Sequence, residues 1–128
     1  VAILAGAKVD AADLTALGAA WTAYTPTLTN LTGGAASGAF AQVGKTLFLR
    51  GNISAGTVTA AGIVSISLPA GLTLATSVIV GCATGRVVRS GLASVSTNLL
   101  EVAAVDGTNL ALAASMVNTR WTGVVEVV

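Results

Sequence analysis

The sequence predicts an all-β domain, an antiparallel β-sandwich or jelly roll, preceded by a short N-terminal helix or arm. Three observations predict it. Lys45 to Ile53 alternates, with Leu47, Leu49, Gly51 and Ile53 on one face and Thr46, Phe48, Arg50 and Asn52 on the other. From Trp21 onward the composition shifts to Thr, Val, Ala, Gly and Ser, which suits strands and turns. Turn signals then recur at short spacing, at Gly33-Gly34, Gly44-Lys45, Gly71, Gly85, Gly91 and Asp106-Gly107-Thr108-Asn109. Many short strands between such signals belong to a sandwich or jelly roll.

Taken in order, residues 1–20 form the arm and residues 21–128 the β-sandwich domain. Within the arm, Asp10 caps a short helix, Asp13 sits in its first turn, and Val9 staples onto Leu14. Leu14 and Leu17 share a face and Gly18 stops the helix. Two turns of helix are unstable alone, so the segment has to dock. Strands are expected at 26–31, 38–43, 45–53, 64–68, 77–83, 86–89, 92–96, 99–105, 109–114 and 119–128. Val64, Ile66 and Leu68 alternate with Ser65 and Ser67 until Pro69 ends the run.

Charge sets the next bound. Charged residues are 9% of the 128, against about 25% in an ordinary soluble domain. A folded monomer of this size exposes roughly 6,100 Å². Its 6 basic and 5 acidic side chains would leave about one charge per 560 Å². A free monomer usually carries more, so much of the surface is expected to be covered by sister subunits. Edge strands without charged residues point the same way.

The same composition excludes several chemistries. A net charge of +1 leaves no electrostatic footprint for nucleic acid. Without histidine, the usual general base and imidazole metal sites are absent. The single cysteine, Cys82, makes neither an internal disulfide nor a Cys-rich zinc site. It reads as a small buried apolar residue in a chain made in a reducing cytoplasm. Polar residues interrupt the charge-free stretches 14–44 and 51–85 every few positions, so neither reads as a membrane span. VAILAGA lacks a basic n-region and does not read as a signal.

Individual motifs reduce to structure. In GAFAQVGKT, Gly38 to Thr46, five residues separate the glycines and a strand follows the lysine. A phosphate loop needs four residues and then a helix. Asp106 reads as a turn residue, and Glu101 and Glu126 lie mid-strand. Arg86, Arg89 and Arg120 are expected to pair with Glu101, Asp106 or Glu126 of this or an adjacent chain. No catalytic, cofactor or metal residue is assigned. Among the aromatics, Trp21 and Tyr24 are expected to anchor the arm, with Phe48 exposed at a subunit interface.

Four stretches carry a resemblance: AGAKVDAADLTAL, WTAYTPTLTNLT, GAFAQVGKTLFLRGNIS and SISLPAGL. In that order they resemble small β-rich virion proteins of tailed bacteriophages, especially those infecting actinobacteria. The pattern places Trp21, Tyr24, Thr25 and Pro26 in a W-x-x-Y-T-P stretch. Phe40, Val43, Gly44 and Lys45 form an aromatic-x-x-V-G-K turn, and Ser67, Leu68 and Pro69 the later S-L-P. The likeness covers about the first 70 residues and departs at Ala39 and Ala41, where family members carry more charge. It implies a non-enzymatic structural role, commonly as a homotrimer, without cofactor.

The expectation that follows is a trimeric decoration protein on the outer surface of the capsid. An arm and one β-domain without a long shaft favour the head. Val1, Ile3, Leu4, Val9, Leu14 and Leu17 would dock on the major capsid protein. Phe48, Trp121, Val125 and Val127 would form the trimer interface. The alternative is a minor tail or tail-fibre protein binding a host surface glycan through Tyr24, Trp121, Asn118 and Arg120.

Overall fold

A computed structural model of the chain describes residues 21–128. The expected arm and helix, with Val1, Ile3, Leu4, Val9, Leu14 and Leu17, lie outside the described residues. The domain is all-β and antiparallel, as the alternation implies. Its strands are β1 (Thr22–Tyr24), β2 (Leu28–Thr29), β3 (Leu31–Val43), β4 (Thr46–Val58), β5 (Val64–Ser67), β6 (Val78–Thr84), β7 (Val87–Ala93), β8 (Leu99–Ala104) and β9 (Thr119–Glu126).

These strands form one continuous sheet in the order β1-β3-β4-β9-β6-β7-β8-β5-β2. The layers expected of a sandwich are parts of that one sheet, which curls on itself. A single residue accounts for how its margins connect. Asn30 alone separates β2, at one margin, from β3, next to the other. It takes a left-handed backbone (φ 67°), a conformation Asn tolerates better than most residues. Its side chain donates to Ala60 O at 2.8 Å and accepts from Ala60 N at 3.1 Å, which pins the corner.

The interior follows from the period-two pattern. Leu47, Leu49 and Ile53 from β4, Val64 and Ile66 from β5, Leu100 and Val102 from β8, and Trp121 and Val125 from β9 share one core. Trp121, Val125 and Val127 are at most 2% exposed. Their assignment to a trimer interface is therefore corrected: alternation along β9 turns Trp121 and Val125 into the chain's own core, and Val127 joins it through a bridge to Leu74. Phe48 keeps the exposure expected of it.

Glycines explain two further differences and one agreement. Gly91 lies inside β7, between Val80 and Val102 in register, and does not make a turn. A Cβ there would sit 2.5 Å from Val80 O, so the residue reflects close backbone approach. The expected strands 86–89 and 92–96 are accordingly one strand. Gly33-Gly34 lies within β3, where the register shifts between Thr32 and Ala36, so a bulge replaces the expected turn. The Gly44-Lys45 turn is present, with Gly44 at φ 59°.

Residues 109–114 form no strand. The segment from Leu110 to Asn118 instead runs along β4 and the loop after it. It is tied there by Val58 N to Ala114 O, Met116 N to Gly56 O and Asn118 N to Ile53 O, each between 2.8 and 2.9 Å. Leu110 and Met116 on this segment are buried. The outermost strands are very short, three residues in β1 and two in β2.

Candidate functional site: an outward trough beside an apolar band

Register sorts the outward side chains into rows. One row runs Ala41, Phe48, Val124. Continuing the β6–β9 register past Gly81↔Thr122 brings Ile79 beside Val124, and Ile79 pairs with Leu92. Phe48, Val124 and Ile79 are 38%, 49% and 76% exposed. They make an apolar band across β4, β9 and β6.

The next two rows are different. Ala23, Ala39, Arg50, Thr122 and Gly81 lie in one, and Ser37, Asn52, Arg120 and Ala83 in the other. Small residues lower the middle of this face, and an open trough of about 800 Å³ results. Arg50 leans toward β1, where its Cζ lies 4.2 Å from the ring centroid of Trp21. Arg120 leans the opposite way and donates from Nη2 to Gly85 O at 3.3 Å. Between them Asn52 Oδ1 is shielded from solvent and, among the described residues, accepts no hydrogen bond. Among the described residues the lining includes both arginines and no carboxylate.

Beneath the trough the sheet is built on paired glycines. Tyr24, Gly38, Gly51, Trp121 and Cys82 form one inward row. The Tyr24 ring fills the space over Gly38 and the Trp121 ring that over Gly51. Tyr24 also packs edge-on to Phe40, with centroids 5.9 Å apart. The Tyr24 hydroxyl and Trp121 Nε1 lie near each other without meeting hydrogen-bond geometry. Burial pushes the Tyr24 phenol up to about 12, an effect the indole N–H partly offsets. Cys82 is pushed up to about 11, again by burial first, with the Arg89 charge lowering it. At neutral pH both groups are protonated and inert.

The sequence-predicted residues therefore separate. Trp21 is on the trough side, and Tyr24 anchors β1 from the core side. Trp121 is too buried to serve as a sugar platform, and the half-buried Tyr24 ring lies over Gly38. Asn118 is a turn residue (φ 63°) whose carbonyl receives Gly85 N. Among the described residues, Arg89, Arg120, Glu126 and Asp106 have neutral partners within the chain, where ion pairs were one expectation. Arg89 Nε donates to Thr84 Oγ1 at 3.2 Å, and Thr84 meets the buried Thr119 hydroxyl at 2.8 Å. Glu126 accepts from Thr46 Oγ1. Asp106 accepts from Thr108 N and Oγ1, and those bonds hold its carboxyl below the usual range.

No protein-family model, curated protein or solved structure matches the chain. Among the described residues no group of three or more His, Cys, Asp or Glu side chains is placed to hold a metal ion. Arg50 and Asn52 were not singled out from sequence as site residues. The signal that places them was present in the alternation that puts Arg50 and Asn52 beside Phe48, away from Leu47 and Leu49.

Proposed function

We propose that this chain is a non-enzymatic virion protein of a tailed bacteriophage, a homotrimer that decorates the outer surface of the head. The observation that carries self-association is the Phe48–Val124–Ile79 band, set on a protein with few charges. Covering about 300 Å² of apolar surface per subunit contributes roughly 7 kcal/mol before association costs. The phage assignment and the trimer rest on the sequence resemblance, and the major capsid protein is the partner it implies. Repetition over a lattice of capsid subunits multiplies weak individual contacts.

Sedimentation velocity is expected to give three times the chain mass for the native protein. Phe48→Asp combined with Val124→Asp is expected to give the monomer with an unchanged circular dichroism spectrum. A native monomer at all concentrations would overturn self-association. Immunogold labelling of virions carrying the chain is expected to decorate the head, whereas label confined to the tail would favour the host-recognition alternative. One observation favours that alternative, the cationic trough.

A further inference from the structure

We infer that the trough binds a hydroxylated polyanion, a saccharide or polyol chain bearing carboxylate or phosphate groups. Both cations of the site rise from a floor of Ala and Gly, on a sheet face where β-branched or aromatic residues are the usual choice. That choice of small residues leaves depth that neither packing nor the core uses. Arg50 is held by the Trp21 ring, and Arg120 by one bond to a carbonyl. A guanidinium carries five donors in a planar fork matched to carboxylate and phosphate oxygens. Leaning outward to opposite sides, the two heads flank the trough and suit an extended ligand with repeated charges.

Asn52 supplies the second half of the argument. Its Oδ1 is shielded and accepts nothing among the described residues, so the site lacks a donor at that point. A ligand hydroxyl supplies one once the Asn52 amide turns its oxygen outward on ligand entry, with Ser37 and Thr122 on the same face as further partners. Anion and hydroxyl together identify an acidic saccharide or polyol phosphate; a bare polyanion satisfies only the arginines. This inference is separate from the self-association reading, because the apolar band and the trough use different side chains.

The test is isothermal titration of the full chain with four probes: oligogalacturonate, oligo(glycerol phosphate), neutral malto-oligosaccharide and polyacrylate. Saturable binding is expected for at least one of the first two, and which one binds distinguishes a carboxylate from a phosphate ligand. The neutral probe and polyacrylate are expected to bind about tenfold or more weakly. Arg50→Gln and Arg120→Gln should each weaken binding by about tenfold or more. Asn52→Asp should abolish it with circular dichroism unchanged. Lys45→Gln and Arg86→Gln, outside the trough, should leave it intact. Absence of binding, equal binding of polyacrylate, or equal loss in the Lys45 and Arg86 variants would each overturn the inference. Repeating the titration on a Phe48→Ser, Val124→Ser chain, which removes the apolar band without placing carboxylates beside Arg50, separates a failure of binding from a failure of self-association.

Discussion

Replacing Gly51 with alanine is expected to destabilise the domain by about 2 kcal/mol. The added Cβ would lie 2.0 Å from Trp121 Cζ2 and 2.4 Å from Cε2, well inside contact distance. Trp121 is 2% exposed, with Gly51 and Cys82 as its cross-strand neighbours, so its ring has little freedom to yield. Overpacking costs roughly 1–3 kcal/mol, and an approach of 2.0 Å belongs at the upper end of that range. Relief of glycine's entropic penalty in a strand returns about 0.5–1 kcal/mol. The net loss corresponds to a urea midpoint lower by about 1 M for a domain of this size. Urea unfolding followed by far-ultraviolet circular dichroism reads it, a signal that survives when Trp121 itself is replaced. Trp121→Leu in the same chain should make Gly51→Ala markedly less costly, since the shorter side chain leaves room for the Cβ. Wild-type stability in Gly51→Ala, or full additivity with Trp121→Leu, would refute the packing of indole on glycine.

Two more outcomes follow from the same inward row. The protein has a single tyrosine, so phenolate absorbance reports Tyr24 alone, and its midpoint is expected near 12. With the folded value above the unfolded 10, the buried phenol's contribution is complete below pH 10 and is lost as pH rises toward 12. Tyr24→Phe should remove that alkaline loss at little cost, because the hydroxyl has no good partner; a titration midpoint near 10 would contradict it. Cys82, held protonated by burial, is expected to resist a thiol reagent at mildly alkaline pH in the folded protein and to react fully in urea. Rapid stoichiometric labelling of the native chain would show that the thiol is more accessible than its 7% exposure implies.

The parts of the fold legible in the sequence are those where local pattern and burial agree. Lys45 to Ile53 reads correctly because one face of β4 meets the core and the other meets solvent. Gly91 reads wrongly because a glycine admitted for close backbone approach looks the same, in sequence, as one admitted for a turn. Trp121 and Val125 were assigned outward because nothing local tells which face of a late strand points inward; the cross-strand partner Gly51 settles it. The trough is the least legible feature. Its floor draws on β1, β3, β4, β9 and β6, and Ala23 and Ala83 become neighbours of one site only through the register. Its cations were visible one at a time, while their opposition across a row of small residues was not.

The position of β9 at the middle of the sheet bears on how the protein is made. Residues 119–126 bridge β4 to β6, and those pairings join positions as far as 80 residues apart, such as Thr46 and Glu126. While a ribosome still holds them, the chain ahead has two incomplete pieces, β1-β3-β4 and β6-β7-β8-β5-β2, each with an unpaired apolar edge. Neither can close before translation passes Glu126, so cooperative folding has to wait for release of that strand and is slowed by its long-range closures. Until then the nascent β4 and β6 edges are open to the same pairing from neighbouring nascent chains. Crowded polysomes making this protein would therefore be where misassembly begins, and a chaperone that shields strand edges would matter most there.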